Sequence, residues 1–515
     1  MIRRVVMVDG YTDEPAGLGV PPYINTYPRL VAGSIWFANK SVDVKYFTID
    51  MIRENIEKFM EIAKTCDVIV VIAGAEVPGR YLGGKPITIG ELERLMMLLD
   101  EKIRVLIGPA ARFGMGLGGG TIALSIRRLK RLFEYIVPGD PEFFFYEALR
   151  YGWEKAPTIK LRQNYDLANK SFYYGAKIIK QHPNYGWNLI VEIETFRGCP
   201  RYITGGCSFC IEPRTGMVIY RSIEGILKEI EALDRFGTRH YRIGKQPDIL
   251  AYMAYDTGKI EFPKPNVNAL RRLFHGIRSI ATNLRILHID NVNPGTIAHN
   301  KEALEALKII IKYHTPGDVA ALGIESFDPK VIKYNNLKVY PDEALEAIRI
   351  INRVGSKRGW NGLPELLPGI NLLYGLPGES RDTYRINLEY LYKILNEGLL
   401  IRRINVRKVT VLENTPLWLR KDEVEYLLKK HHSLYEIYRR RIMNEIDRKM
   451  LRKILPQNTV VKYLYTEKYI GEFTVARQPA SYPIVFYIEG HHPLKKTINL
   501  RVIGYKAKSV YGEII

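Results

Sequence analysis

Cysteine is scarce. Four occur in 515 residues, too few and too unevenly placed for the disulfide framework of a small secreted domain. Long apolar runs are missing as well: the best candidate, residues 68–75, is strand-sized and far short of the ~18 residues a bilayer span needs. The opening MIRRVVMVDG passes from two arginines straight into a strand-like run, with no h-region or cleavage site for export. Glycine and proline, at 42 and 28, lie near globular averages and exclude a collagen-like or disordered chain. The glycine-rich run GMGLGGG (114–120) lacks the Lys-Ser/Thr of a P-loop and reads as a flexible loop. No Ser/His/Asp or paired-carboxylate arrangement stands out. Acidic residues are few relative to basic ones, 55 against 76, which leaves a net charge of +21. Such an excess favours polyanionic partners, RNA first. The expectation is a soluble cytoplasmic protein with no membrane association.

The length exceeds one ordinary domain. Residues 1–150 alternate short β-branched runs with helical stretches, which predicts an N-terminal α/β domain with a small parallel, flavodoxin-like sheet. Residues 151–184 read as a connector. A second α/β series occupies 185–418, with candidate strands at Trp187–Glu194, His240–Gly244, Arg285–Asp290, Val319–Glu325, Gly369–Gly375 and Ile404–Val411. Ser222, Pro341 and Ser380 open the intervening helices, and Gly237, Gly355 and Gly398 close them. Six such units predict a partial (βα)6 barrel of TIM type, with chemistry at the C-terminal strand ends. Residues 419–457 predict a basic helical linker, and 458–515 a small all-β barrel.

Three of the four cysteines fall in one loop after the first barrel strand, TFRGCPRYITGGCSFC (195–210). Three thiolates at Cys199, Cys207 and Cys210 suit a [4Fe–4S] cluster whose fourth iron has no protein ligand and can bind a small molecule. The alternative is structural zinc with three Cys and one His, although His182 and His240 are remote in sequence. Cys66 precedes a buried-looking strand and reads as core.

This loop resembles the cysteine motif of the radical S-adenosylmethionine (SAM) superfamily. The half Cys207-Ser208-Phe209-Cys210 matches, with the aromatic directly before the last cysteine. The first gap holds seven residues (Pro200–Gly206) where three are usual, and Gly205 and Gly206 are there to let the longer loop close. Further pieces follow in family order at later strand ends. RIGKQPD sits where the resemblance places groups for the methionine end of SAM, making Gly244, Gln246 and Asp248 candidates. HIDNVNPG offers Asp290 and Asn291 for ribose or substrate, and GIESFD offers Glu325 and Ser326 to the pocket. NLLYGLPGES resembles the strand-five signature of the methylthiotransferase and Elongator-type branch, with Gly375 and Pro377 beside the nucleoside. Phe209 would pack near the adenine.

The same resemblance implies SAM and a [4Fe–4S] cluster as cofactors, a 5′-deoxyadenosyl radical as the reactive species, and a one-electron donor such as ferredoxin or flavodoxin. The end of the chain, INLRVIGYKAKSVYGEII, resembles the TRAM domain, a small RNA-binding barrel in which Lys495, Lys496, Arg501, Lys506 and Lys508 would meet RNA backbone. Methylthiotransferases hold a second cluster on three cysteines of their N-terminal domain. The corresponding strand ends here, DGYTDE, VIAGAEV and LIGPAAR, carry none. The leading expectation is therefore a radical SAM enzyme modifying RNA, tRNA above all, through the basic linker and terminal barrel. Two alternatives stand beside it: the same chemistry on a protein or small metabolite, and a non-catalytic RNA- or ribosome-associated protein with a structural metal. The catalytic side chains are not identified by the sequence.

Overall fold

The computed structural model describes residues 2–10, 22–74, 86–116 and 119–515. The acidic residues Asp13 and Glu14, the end of VIAGAEV and the middle of GMGLGGG lie outside them.

The N-terminal strands Arg4–Asp9, Asp43–Thr48, Val68–Ile72, Ile103–Ile107 and Tyr135–Ile136 form one sheet, parallel throughout. Taken in chain order its arrangement is 2-1-3-4-5, the doubly wound order of flavodoxin-like sheets. Val68–Ile72 reads VIVVI and is buried at every position, as a strand covered by helices on both faces must be.

The central region is an open parallel barrel. Its strands run Tyr23–Ile24, Ile190–Glu194, His240–Gly244, Ile286–Ile289 in one sheet and Asn291–Val292, Asp318–Glu325, Leu366–Tyr374, Arg403–Lys408 in the other. The third strand breaks at Asp290, so that Ile286–Ile289 pairs with one sheet and Asn291–Val292 with the other. The six expected strands are all present. The edge strand Tyr23–Ile24, which pairs with Ile190 and Val191, was not foreseen. The helix after it, Thr26–Ala38, is fixed to the barrel by Arg29, wholly buried, whose guanidinium pairs with Glu229 at 2.8 Å and donates to Glu192 O. Residues before 150 thus contribute directly to the barrel wall.

Helices start where the sequence marks them. The Ser222 hydroxyl accepts from Gly225 N, Pro341 opens Pro341–Gly355, and Ser380 opens Arg381–Asn396 with a reciprocal cap from Thr383. Helices Lys421–Lys430, His432–Arg441 and Arg448–Ile454 follow the last barrel strand. The chain ends in a closed barrel of five strands, Val460–Ile470, Phe473–Arg477, Val485–Glu489, Thr497–Tyr505 and Ser509–Ile514, arranged 1-2-3-5-4 with the third and fifth parallel. One apolar core runs through all of these parts, from Val5 and Val70 through Ile193 and Leu372 to Ile454 and Leu500.

The loop 478–484 of the terminal barrel enters the base of the central one. Ser481 N meets His288 Nδ1, Ser481 Oγ donates to Ile289 O, and the Tyr482 hydroxyl donates to Asp290 Oδ1 at 2.5 Å. The Tyr482 ring packs on Val319 and Ala321 and lies 3.8 Å from the Arg403 guanidinium. The central barrel is therefore stoppered at one end by the terminal one.

Candidate active site

The cysteine loop leaves strand Ile190–Glu194 at its C-terminal end. Phe196–Arg197 pairs antiparallel with Ile219–Tyr220 and closes the neck of the excursion. After Cys199 the extra residues form a 3-10 turn, Pro200–Thr204, followed by two left-handed glycines, Gly205 (φ 84) and Gly206 (φ 64). A β-carbon on Gly206 would stand 2.3 Å from Pro213 Cγ. Both the backbone conformation and the space demand glycine here, which is how seven residues return Cys207 towards Cys199.

Cys207 lies in an apolar cup with Leu376, Val409, Val411 and Leu417, against which Phe209 and Cys210 also pack. The thiols sense one another. Burial pushes Cys199 up to about 12, with the charge of Cys207 adding to it. Burial likewise drives Cys210 well up, followed by the charges of Cys207 and Cys199. Two cations answer this accumulation. Arg201, 1% exposed, donates to Cys207 Sγ at 3.1 Å. Burial alone would push Lys338 down, but negative charge at Cys207 and then Glu325 outweighs it and holds the ammonium. Three mutually interacting thiols in an apolar cup, flanked by cations, are a donor set matched to an anionic iron–sulfur cluster. Among the described residues no three or more His, Cys, Asp or Glu, these three cysteines included, converge as a single metal ion requires. His240 sits on Leu189 O, and the His182 ring lies tilted 6.1 Å from that of Tyr46. Cys66 is in the core of the N-terminal domain with Phe59 and Leu106, and burial raises it to about 11.

The loop faces the Gly-Leu-Pro-Gly turn. Asn335, fully buried, accepts from Ser208 through both Oδ1 (2.8 Å) and its backbone carbonyl (3.0 Å), and its amide donates to Pro377 O at 2.8 Å. Leu376 completes the cup beneath Cys207. Glu379 folds the turn on itself, accepting from Gly375 N at 2.6 Å and from the Tyr384 hydroxyl at 2.9 Å, with His431 Nδ1 at 2.8 Å. Gly375 is left-handed (φ 88), and Leu428 Cδ2 fills the place of its missing side chain, 2.4 Å from a built β-carbon.

The other expected residues cluster at the same strand ends but are heavily engaged. Gln246 accepts from Thr195 Oγ1 (3.1 Å) and donates to Ile243 O (2.9 Å), tying the first two strands together. Gly244 lies against Glu192 and Arg242, and a β-carbon there would be 2.6 Å from Glu192 Oε1. Asp248 accepts from Thr296 Oγ1 at 2.7 Å and from Leu250 N at 3.0 Å, and burial pushes its carboxyl up to about 6. Asp290 is held by Tyr482, with Arg242 at 3.7 Å, and Asn291 donates to Gln246 O at 3.3 Å. Glu325 is buried in a left-handed conformation (φ 66) at a register shift in its strand. Burial raises it, with Lys338 drawing it back. Lys338 reaches in over Gly323, donating to its carbonyl at 3.1 Å. Ser326 accepts from Asp328 N at 3.1 Å and reaches Asn387 Oδ1 at 3.4 Å, a local turn. Arg201, Asn335, Lys338 and Tyr482 were not anticipated. Only the length of the first cysteine gap hinted at Arg201.

Beside the loop, a cleft brings Tyr27, Pro109 and Arg112 of the N-terminal region towards Arg197, Glu212 and Lys245.

Comparison with known proteins fits this arrangement. The profile of the Radical SAM superfamily matches residues 193–391. The uncharacterized protein MJ0274 of Methanocaldococcus jannaschii is 41% identical over 525 residues, covering 100% of this chain and 94% of its own. An uncharacterized protein of Archaeoglobus fulgidus is 39% identical, covering 98% and 89%. Among solved structures, the radical SAM methyltransferase TsrM of Kitasatospora setae superposes with TM-score 0.51 at 12% identity, covering 81% of this chain and 75% of TsrM. The cobalamin-dependent SAM radical enzyme OxsB gives TM-score 0.51 at 12% identity, covering 82% and 56%. The likeness is one of fold, and these neighbours are cobalamin radical SAM enzymes rather than methylthiotransferases or Elongator-type proteins. The chain belongs to the radical SAM superfamily and is an enzyme of that class, with a [4Fe–4S] cluster and SAM as its cofactors.

Proposed function

We propose that this enzyme modifies RNA, with tRNA the leading class, and that Cys199, Cys207 and Cys210 hold its cluster. When bound, the cluster and SAM supply one-electron chemistry that abstracts hydrogen from an unactivated carbon, a reaction beyond any protein side chain. The chain contributes containment and charge. Arg201 and Lys338 balance the thiolates, Asn335 sets the loop against the turn, and Tyr482 shuts the far end of the barrel against water. Gly244, Gln246, Asp248, Asn291 and Glu325 line the strand ends where SAM and substrate would meet.

One observation carries the RNA reading. The 1-2-3-5-4 terminal barrel has the arrangement of an OB-type barrel, whose second and third strands and adjoining loops serve nucleic acids. On that face Phe473, Tyr487 and Tyr511 form a ring cluster with centroids 5.7 to 6.2 Å apart. Lys506, from the loop between the fourth and fifth strands, lies 3.6 Å from the Tyr487 centroid, and also against Phe473 and Tyr511. Aromatic faces beside a lysine stack bases and meet phosphate. The +21 net charge and the basic helices 421–454 extend the same surface character. TRAM-like recognition is the form this reading takes.

The test is mass spectrometry of nucleosides from total tRNA with and without the gene, paired with RNA binding across a salt series. Loss of one modified nucleoside and a steep salt slope are expected. An unchanged nucleoside profile with salt-insensitive binding would reject RNA and favour a small molecule. That second reading is supported by the cleft at Tyr27, Arg112 and Lys245 and by fold likeness to TsrM, whose structure contains a tryptophan substrate.

A further inference from the structure

We infer that Arg201 is a positioning residue that sets the reduction potential of the cluster, and that the lengthened first cysteine gap exists to deliver it. The inference rests on membership of the superfamily and is independent of the substrate.

Arg201 sits second in the 3-10 turn formed by the additional residues of the gap. Its side chain turns back beneath the loop and is immobilised on every side. Nε meets Glu261 Oε1 at 2.6 Å, Nη2 donates to Asn336 O at 2.9 Å and to Leu337 O at 3.2 Å, and Nη1 donates to Cys207 Sγ at 3.1 Å. Asn336 secures the turn in return, donating to Thr204 O at 2.9 Å and Gly206 O at 3.0 Å. With 1% exposure, the guanidinium has no water to screen it. A buried arginine needs acceptors. Here one acceptor is the sulfur of an expected cluster ligand, while the carbonyls of Cys199, Arg201, Tyr202, Thr204, Gly205 and Gly206 accept from other donors.

The physical consequence follows from where the electron goes. One electron arrives from an external low-potential donor of the ferredoxin or flavodoxin class, the cluster takes it up, and no bond breaks in that step. The added negative charge spreads over the sulfurs. A fixed cation donating to one of them stabilises the reduced state more than the oxidised state, and hydrogen bonds to cluster sulfurs are a recognised determinant of potential. Glu261 tempers the effect. Its carboxylate is about a third exposed and neutralises part of the guanidinium charge.

The experiment is a redox titration of the reconstituted full-length holoenzyme without SAM, followed by electron paramagnetic resonance of the reduced cluster. The variants are Arg201→Met, Arg201→Lys and Glu261→Gln. Arg201→Met should load iron as the parent does and lower the reduction equilibrium constant by about tenfold, equivalent to ~59 mV for a one-electron couple. Arg201→Lys should keep part of the effect, and Glu261→Gln should move the potential the opposite way. Potentials of Arg201→Met and Glu261→Gln both within about twofold of the parent equilibrium constant would overturn the inference and leave Arg201 a purely structural contact. Should Arg201→Met fail to load iron, the remaining pair decides: opposite shifts in Arg201→Lys and Glu261→Gln uphold it, and unmoved potentials reject it.

Discussion

The Asn335 side-chain amide stands 2.8 Å from the carbonyl of Pro377, and the oxygen of the same amide accepts from Ser208. One buried side chain therefore fixes the distance between the thiol loop and the glycine–proline turn. Replacing it by alanine strands the half-buried Ser208 hydroxyl and the buried Pro377 carbonyl, at a cost of ~1–3 kcal/mol for the buried carbonyl left unpaired. Asn335→Ala should lower the denaturant midpoint and reduce the iron bound per chain. Unchanged iron content in a destabilised protein would mean that the loop holds its shape alone.

The cysteines separate cleanly by role. Cys210→Ala should abolish the visible absorbance of the anaerobically reconstituted cluster together with SAM cleavage. Cys66→Ala, in the N-terminal core, should leave both intact and cost only stability. Persistence of the cluster spectrum in Cys210→Ala would contradict the ligand assignment.

Tyr482 offers a test of the stopper. Tyr482→Phe deprives Asp290 of its hydroxyl donor and should cost ~1–3 kcal/mol. Tyr482→Ala also removes the ring from between Val319, Ala321 and Arg403, a loss of ~3–5 kcal/mol on the scale of aromatic truncations. With the base open to solvent, more SAM should be cleaved per product formed. The ratio of 5′-deoxyadenosine to product reads this directly, and an unaltered ratio would show that closure lies elsewhere.

Two buried histidines make acid stability predictable in sign. Burial holds His182 and His240 down to about 3, against ~6.5 in an unfolded chain. Below that unfolded value the denatured state takes up protons first, so their contribution is complete above pH ~6.5 and lost as pH falls towards the folded values. Glu142, pushed up to about 7 by burial, and Asp248 at about 6 act in the opposite sense. The difference between variant and parent is therefore the informative quantity. His240→Phe should flatten the fall in unfolding free energy between pH 6.5 and 4.5, and a parallel curve would refute the assignment.

Much of the fold was legible because its signals are local. His240–Gly244 was placed without error, and the helices opening at Ser222, Pro341 and Ser380 start where caps and proline stop the preceding chain. The two-residue strand Tyr23–Ile24 carries too little pattern for periodicity to register, and it exists because the barrel edge beside Ile190 needs a partner. At the site, the cysteine loop stood out by residue type and spacing, and the turn at Gly375–Gly378 by its resemblance to a family signature. Arg201, Asn335 and Lys338 did not. An arginine, an asparagine and a lysine are ordinary surface residues in a sequence, and their roles come from contacts across as many as 136 positions. Tyr482 was hidden for the same reason, being 192 positions from Asp290.

The loop carrying Tyr482 makes the last segment of this chain part of the reaction vessel. A shortened protein ending before residue 458 would keep every sulfur and every strand of the central barrel, yet its chamber would drain from below. Whatever the terminal barrel grips outside, it is also the floor of the central barrel.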